Sequence, residues 1–494
     1  MMKTQILKKI AFVSILLLLI VISNGQFSVF FAIWISTAML LFVVRRFKRW
    51  KGFLIAFLVI AIGYYVGFDV TPLPFIIPII ITLIFSLFAS LPYLIDSFFS
   101  KKRNSILNTL IFPCSAVLAE FAYHQFNLYG TWGHFAYTQQ SQYVLLQSIS
   151  IFGMGYITFL ITWFASIVNW IYEQRNEWNN VKKGILIYGL VFGLTLIYGG
   201  YRVQFQKPTS ETIRVASISA LDNLKMFEVN FNALNEEETK NDAKINFREK
   251  ASKLNQNLFD RSIKEAKSGA KIVFWAEGNG LILKEDENEL YKRAGQIASE
   301  QNIYLGLGIS VIDPTNSKPL ENKFVLFDQT GKKAIDYWKN IAIPGSEAEI
   351  SNVKKTGILK TETSFGTIAS AICFDLDFPN YLKQTKGSDI LLAPSNDWKE
   401  IDPLHTNMAK FRAIEQGFNL IRQTSFGLSI GSDYTGKVIS EMDHFTDNGK
   451  VLITQLPTKG TKTIYSIIGD TFIIFCFILF ILTVVVLKRK KVEI

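Results

Sequence analysis

The sequence predicts a polytopic α-helical membrane part joined to an α/β domain, and three observations predict it. Of 494 residues, 49% are hydrophobic, which is high for a soluble chain. That excess is concentrated in residues 1–205 and 464–487, which are dominated by Leu, Ile, Phe and Val. The stretch between them is mixed and charged, and strand-like and helix-like patterns alternate along it.

A bilayer core takes about 20 apolar residues as helix. Eight runs qualify as candidate transmembrane helices: 8–23, 27–44, 52–68, 74–98, 105–124, 143–172, 184–203 and 464–487. Seven fall in a membrane domain, 1–205, and the eighth is a C-terminal helix, 464–487. Lys8 and Lys9 before an apolar run also fit a cleaved signal peptide. No A-x-A cleavage site follows and more spans do, so a retained helix is expected.

Lys and Arg set the sides. Basic residues stand before the first span (Lys3, Lys8, Lys9) and between the second and third (Arg45, Arg46, Lys48, Arg49, Lys51). They recur after the fourth (Lys101, Lys102, Arg103), the sixth (Arg175, Lys182, Lys183) and the eighth (Lys488, Arg489, Lys490, Lys491). The alternate loops, "NGQ", 69–73 and 125–142, hold none. The rule therefore expects both ends of the chain in the cytoplasm and the region 204–463 on the far side of the membrane. Much of the net charge of +11 is then topological, which removes the main support for a nucleic-acid partner. In the outer loop "NLYGTWGHFAYTQQSQ", Tyr129, Trp132 and Tyr137 suit an interfacial aromatic belt, with a lipid entry path as the alternative.

The α/β domain reads in order. "IRVASISA" (213–220) and "KIVFWAE" (271–277) are predicted strands. Between them 234–267 is a charged, periodic helix with capping residues near 235–238. "ENELYKRAGQIASEQ" (287–301) is a helix and "IYLGLGISVI" a strand. "NKFVLFDQTGKKAIDYW" is a hairpin around Gln-Thr-Gly. "GTIASAICFD" is a strand running into Cys373, and "ILLAPSND" a strand with a polar end. "PLHTNMAKFRAIEQG" is a helix with His405, Met408, Arg412 and Glu415 on one face. "LIRQTSFGLSIGSDYTGKVIS" closes with strands around Asp-Tyr-Thr-Gly. Neither phosphate-binding glycine pattern is present in the sequence, so nucleotide chemistry has no anchor.

Of the three cysteines, Cys114 and Cys476 lie in apolar runs, which leaves Cys373 alone in the polar domain. No disulfide framework or zinc spacing results, and no metal is expected. Glu277 follows a strand in "FWAEG", Lys339 lies in "YWKNIAIPGSE" and Cys373 in "AICFDLD". Acyl chemistry at a thiol needs a proton acceptor and a cation or N–H donors for the oxyanion. Glu, Lys and Cys form that set if they converge, which spacing alone does not show. Taken singly, a strand-end Cys is more ordinary as a buried thiol, and a loop Glu or Lys as a solvated charge.

The ordered set Glu277, Lys339, Cys373, with "CFDLDFP" around the cysteine, resembles the Glu-Lys-Cys triad of the nitrilase, or carbon–nitrogen hydrolase, superfamily over about 212–460. Seven spans before such a domain and one after resemble a narrower family, the apolipoprotein N-acyltransferases. "KNIAIPGSE", "SNDW", "HTNMAKFRAIEQGFNLIRQTSFG" and "YGTWGHFAYTQ" are similar to that family's segments. Three segments depart from it: Cys373-Phe374-Asp375 stands for Cys-Tyr-Glu, Pro344-Gly345-Ser346 for Pro-Phe-Gly, and Trp275-Ala276-Glu277 for Trp-Pro-Glu. The segment after Cys373 is closer to soluble nitrilases.

The resemblance implies a nitrilase-like αββα sandwich at 212–460, no cofactor, and a multi-pass bacterial inner-membrane enzyme, expected as a monomer. It implies ping-pong acyl transfer from a membrane phospholipid to the diacylglyceryl-cysteine at a lipoprotein N-terminus. Cys373 is the implied nucleophile, Glu277 the base and Lys339 the oxyanion group. Glu347 is implied to orient Lys339, and Asn322 and Asp375 to support the pocket. Phe378, Tyr381 and Leu382 are expected to pack, and His405, Arg412, Glu415 and Arg422 to serve the framework. The rival readings are a membrane-tethered amidase and a non-catalytic membrane interaction protein.

Overall fold

A computed structural model describes residues 2–23, 25, 27–67, 76–99, 105–221, 233–234 and 240–489. The capping segment near 235–238, the loop 69–73, Lys101–Arg103 and Lys490 and Lys491 lie outside the described residues. The chain forms two compact units, Met1–Gln206 with Ile467–Ile494, and Lys207–Ser466.

The first unit is helical: its long apolar runs lack the polar alternation of half-buried strands, and a helix satisfies its backbone internally. Among the described residues, six helices are long and apolar enough to cross a membrane: Arg49–Gly67, Ile76–Phe99, Ile106–Phe126, Gly155–Glu173, Trp178–Phe205 and Thr471–Arg489. The apolar parts of the first two predicted spans are shorter, Ile10–Ile22 and Ala32–Val44. The predicted run 143–172 is not one helix. It breaks into Tyr143–Leu146, Ile149–Phe152 and Gly155–Glu173, with Gly153 at φ 70° between the last two. The run 464–487 also breaks, at Gly469 (φ 59°), so that its long helix starts at Thr471.

The loop 127–142 does not display its aromatics as a belt. Trp132 and Tyr137 are buried, and Tyr129 is half-buried. Side-chain hydrogen bonds fold the loop inward: Phe135 N donates to Glu120 (2.8 Å), Tyr137 Oη and Thr131 Oγ1 are 2.7 Å apart, and Trp34 Nε1 donates to Gln139 (3.1 Å). At the other end of these helices, Arg45 makes a two-pronged contact with Asp96 at 2.8 Å.

The second unit stacks two mixed sheets. Its strands are β1 (Thr212–Ile218), β2 (Ile272–Trp275), β3 (Gly280–Leu283), β4 (Tyr304–Ile312), β5 (Leu320–Phe327), β6 (Lys333–Trp338), β7 (Lys360–Thr363), β8 (Gly366–Ser370), β9 (Ile390–Asn396), β10 (Asn419–Ser425), β11 (Leu428–Ser432), β12 (Val438–Asp443) and β13 (Val451–Pro457). One sheet runs β13-β1-β2-β4-β5-β6 with β3 paired to β4, and the other β12-β11-β10-β9-β8-β7. Parallel pairs β1–β2, β2–β4, β8–β9 and β9–β10 form the two centres. Those central strands are buried on both faces, which is why they read as continuous apolar runs.

Alternation still sorts their side chains. Ile213, Val215, Ile272, Phe274, Phe324 and Leu326 face the other sheet's Ile368, Leu392 and Ile421. Ala216, Ile218, Val273, Trp275 and Val325 face the helices Lys240–Lys267 and Glu287–Gln301. The helix Leu404–Gln416 covers the second sheet through Ala409 and Ala413. The layers are thus helix, sheet, sheet, helix. The hairpin turn is held by the Asp328 carboxylate, which accepts from Thr330 N (2.8 Å), with Gly331 at φ 80°.

The predicted strand "GTIASAICFD" stops early. β8 ends at Ser370, and Cys373–Asp377 forms a 3-10 turn. The Asp375 carboxylate accepts from Ile372 N (3.1 Å), which draws the chain out of the sheet. β3, β7 and β13 are strands that the pattern reading does not contain.

Gly308 on β4 carries a testable consequence. A Cβ there would lie 2.2 Å from Ala276 O and 2.7 Å from Trp275 O, both backbone atoms that cannot swing aside. Gly308→Ala is expected to cost about 1–3 kcal/mol and to displace the segment that carries Glu277. Thermal unfolding would register the loss of stability.

Candidate active site

Strand ends build the site. β2 delivers Glu277, β6 delivers Lys339, and the turn after β8 delivers Cys373. Antiparallel β5–β6 pairing brings Asn322 alongside, and Lys339 N donates to Asn322 O at 2.9 Å. Glu347 opens the short helix Glu347–Ile350. Glu277, Asn322, Lys339, Glu347, Cys373 and Asp375 are all buried.

Lys339 Nζ lies 2.8 Å from Glu277 Oε1 and 2.6 Å from Glu347 Oε2. Asn322 Nδ2 donates to both carboxylates, at 2.7 Å to Glu277 and 2.8 Å to Glu347. Ile343 N adds a 3.3 Å bond to Glu347. Glu347 thereby holds the ammonium together with Glu277. Glu277 Oε2 is buried without a hydrogen-bond partner among the described residues, so it keeps a lone pair for an incoming proton. Burial alone would lower the Lys339 ammonium, but Glu277, Glu347 and Cys373 raise it well above the ordinary lysine value. It stays charged.

Cys373 occupies φ 46°, a left-handed conformation uncommon outside glycine. Such strain at a nucleophile is a recurrent device for presenting a side chain. Its Sγ lies 3.8 Å from Asn396 O. Burial pushes the thiol well above its ordinary pKa. Glu277 and Asp397 add to that, while Lys339 and Arg422 pull it down. A resting thiol rather than a thiolate therefore needs a base at the moment of attack.

Asp375 is the hinge pin of this region. Its carboxylate accepts from Tyr337 Oη (2.6 Å), Ile372 N (3.1 Å), Asn340 N (3.2 Å) and Ile341 N (2.9 Å). One side chain thus ties the cysteine turn to the segment bearing Lys339. Burial pushes this carboxyl up to about 7, against the pull of Tyr337, Lys339 and the backbone N–H groups. Leu382 is buried. Tyr381 meets Tyr337 (Oη–Oη 2.8 Å), and Phe378 packs edge-on against Phe374.

Pattern reading did not connect a second buried group. Arg422 grips Asp397 at 2.8 and 2.7 Å, and His405 lies 2.8 Å from Asp397 and 3.1 Å from Asp377. Arg412 pairs with Glu415 at 2.9 Å, fully buried, so this pair is framework and not solvated charge. The available signal was the apolar flanking of His405 and Arg422, which leaves charges inside a core where only paired ones survive. Asn279 also escaped notice. It accepts from Ala220 N (2.5 Å) and donates to Glu277 O (3.0 Å) and Ser425 Oγ (2.9 Å), fixing the turn after β2.

His405 makes stability depend on pH. Burial lowers its pKa, but Asp377 and Asp397 raise it further, to about 9. The folded value lies above the unfolded value near 6.5. This stabilisation is therefore fully present below about pH 6.5 and is lost as pH rises through about 9. It is on the order of 3 kcal/mol. Melting of wild type and His405→Gln should differ most near pH 6 and converge above about pH 9.

A buried Glu-Lys-Cys set at the strand ends of a two-sheet sandwich defines an enzyme of the carbon–nitrogen hydrolase class, and the Carbon-nitrogen hydrolase family profile matches residues 252–465. The profile of the Apolipoprotein N-acyltransferase N-terminal domain matches residues 16–167. The apolipoprotein N-acyltransferase of Borreliella burgdorferi is 25% identical over 478 residues, covering 88% of this chain and 82% of the relative. Apolipoprotein N-acyltransferase 1 of Treponema denticola is 24% identical, covering 79% and 78%. That of Vibrio parahaemolyticus is 37% identical over 131 residues, 25% of each chain. Among solved structures, an amidase from Nesterenkonia sp. covers 51% of this chain and 92% of its own at 15% identity and a TM-score of 0.39. The chain belongs to the apolipoprotein N-acyltransferase family and is an integral membrane enzyme of the bacterial inner membrane.

Proposed function

We propose that the chain transfers an acyl group from a membrane phospholipid to the free α-amino group of a diacylglyceryl-cysteine at a lipoprotein N-terminus. The observation that carries this reading is the charged Lys339 held between Glu277 and Glu347, all in electrostatic reach of a buried, strained Cys373. Glu277 takes the thiol proton as Sγ attacks the ester carbonyl. Lys339 and neighbouring N–H groups stabilise the oxyanion. The carbonyl re-forms, the C–O bond breaks, and Glu277 returns the proton to the leaving lysophospholipid alkoxide. In the second half the amine attacks the thioester, the C–S bond breaks, and its proton passes through Glu277 to the thiolate. An amide and the free thiol result.

In this reading the eight predicted spans cross the membrane, both chain ends are cytoplasmic, and residues 212–460 lie outside it. Both substrates carry acyl chains, which explains a catalytic domain carried on membrane helices. Three cations at the start of the first span (Lys3, Lys8, Lys9) and the basic residues Arg45, Arg46, Lys48, Arg49 and Lys51 support the orientation.

The test supplies purified protein with acyl-labelled phospholipid and a diacylated lipopeptide. Label is expected as amide on the peptide. Release of free fatty acid alone, or turnover of small amides only, would favour the amidase reading. A reporter fused near residue 300 that proves cytoplasmic would overturn the orientation.

A further inference from the structure

We propose that His405, held as an imidazolium between Asp377 and Asp397, is a positioning residue that sets the charge at the Cys373 sulfur and ties the cysteine turn to the end of β9. The proposal rests on the acyltransferase reading only for the reaction it serves.

The geometry is specific. Asp377 closes the turn that Cys373 opens. Asp397 follows Asn396, whose carbonyl faces the thiol. His405 Nε2 lies 3.1 Å from Asp377 Oδ1, and Nδ1 lies 2.8 Å from Asp397 Oδ1. A neutral imidazole has one N–H and could satisfy only one of these carboxylates. With both protons present each contact is a charge-assisted hydrogen bond. With one missing, a nitrogen lone pair faces a carboxylate. Arg422 grips Asp397 and donates to Thr406, and its Nη2 lies 2.9 Å from Nδ1, so its charge opposes that of the imidazolium while the two aspartates favour it. Both ring nitrogens are thus engaged, which leaves no imidazole lone pair for a cation.

The sulfur, an Asp397 oxygen and a His405 nitrogen all lie within 4.8 Å of one another. The four groups Asp377, Asp397, His405 and Arg422 are buried. With His405 charged they sum to zero. With it neutral they leave one negative charge beside the sulfur, added to Glu277 and opposed by Lys339 from the other strand ends. Buried charge at such range acts strongly on the ionisation of a neighbour. A neutral residue 405 would therefore disfavour both the thiolate and the oxyanion formed next to it.

The test measures alkylation of Cys373 by iodoacetamide at pH 7 in the full-length protein, read by mass spectrometry of the Cys373 peptide. His405→Gln is expected to slow it about tenfold or more. The double variant His405→Gln/Asp377→Asn restores the charge balance and is expected to recover most of the rate. Unfolding would expose the thiol and speed the reaction, so it cannot imitate the expected loss. A His405→Gln rate equal to wild type, or a double variant no faster than the single, would overturn the proposal and leave His405 a packing residue. Alkylation needs neither acyl donor nor acceptor. The predicted pair of rates in a protein that transfers no acyl group would support the proposal and sink the acyltransferase reading alone.

Discussion

Cys373→Ala is expected to lower acyl transfer by roughly 10⁴-fold or more, while the protein still folds. Both halves of that expectation follow from the same burial. The sulfur is the atom through which the acyl group passes, and no second thiol can replace it. Cys114 and Cys476 are buried in the apolar helical unit. The side chain itself is small, and its main contacts are apolar neighbours in the core between the sheets. Its removal leaves a cavity of about one sulfur atom, for which a cost of about 1 kcal/mol is ordinary. Alanine also tolerates φ 46° no better than cysteine does, so the strain remains. Activity and the melting temperature should therefore separate cleanly. Loss of both together would make Cys373 a structural residue first.

The second large effect is at Lys339. Lys339→Met removes the cation that pairs with Glu277 and Glu347, and Asn322 remains as their shared neutral donor. An uncompensated buried charge costs about 3–5 kcal/mol, so this variant should melt far below wild type. It should also lose roughly 10²–10³-fold in acyl-enzyme formation, the size expected for one missing oxyanion donor. Adding Glu347→Gln removes one of the two stranded charges. The double variant should regain stability but not activity. A double variant that recovered acyl-enzyme formation would show that Lys339 serves packing, not the oxyanion. Lys339→Arg is not conservative here, because a planar fork cannot replace a compact ammonium between two carboxylates.

The apolar helices and most central strands were legible because burial on both faces writes unbroken apolar runs. The breaks inside them were less so. Nothing in "SIFGMGYI" or "SIIGDTF" says that Gly153 and Gly469 reverse φ, since glycine tolerates either sign. β3 and β7 have four residues each, too few for a period to register. The early end of β8 depends on Asp375 accepting from Ile372 N, a contact between residues that look like strand continuation. The residues of the candidate site were legible as a chemical set and as a family pattern, but their approach was not. Glu277 and Lys339 are 62 positions apart, and Asn322 reaches Glu277 across 45. Only the β5–β6 register and the strand order bring those side chains together. The His405 group hid for a related reason. On the helix it looked like one polar face, and the fold turned that face inward against two aspartates from other elements.

The central claim is that Cys373 carries the acyl group. Its most direct test is the mass of the Cys373 peptide after the purified enzyme meets phospholipid with no acceptor present. The account predicts a thioester adduct of one acyl chain on Cys373, discharged when a diacylated lipopeptide is added. Transfer that proceeds with Cys373 unmodified, or that persists in Cys373→Ala, would contradict it.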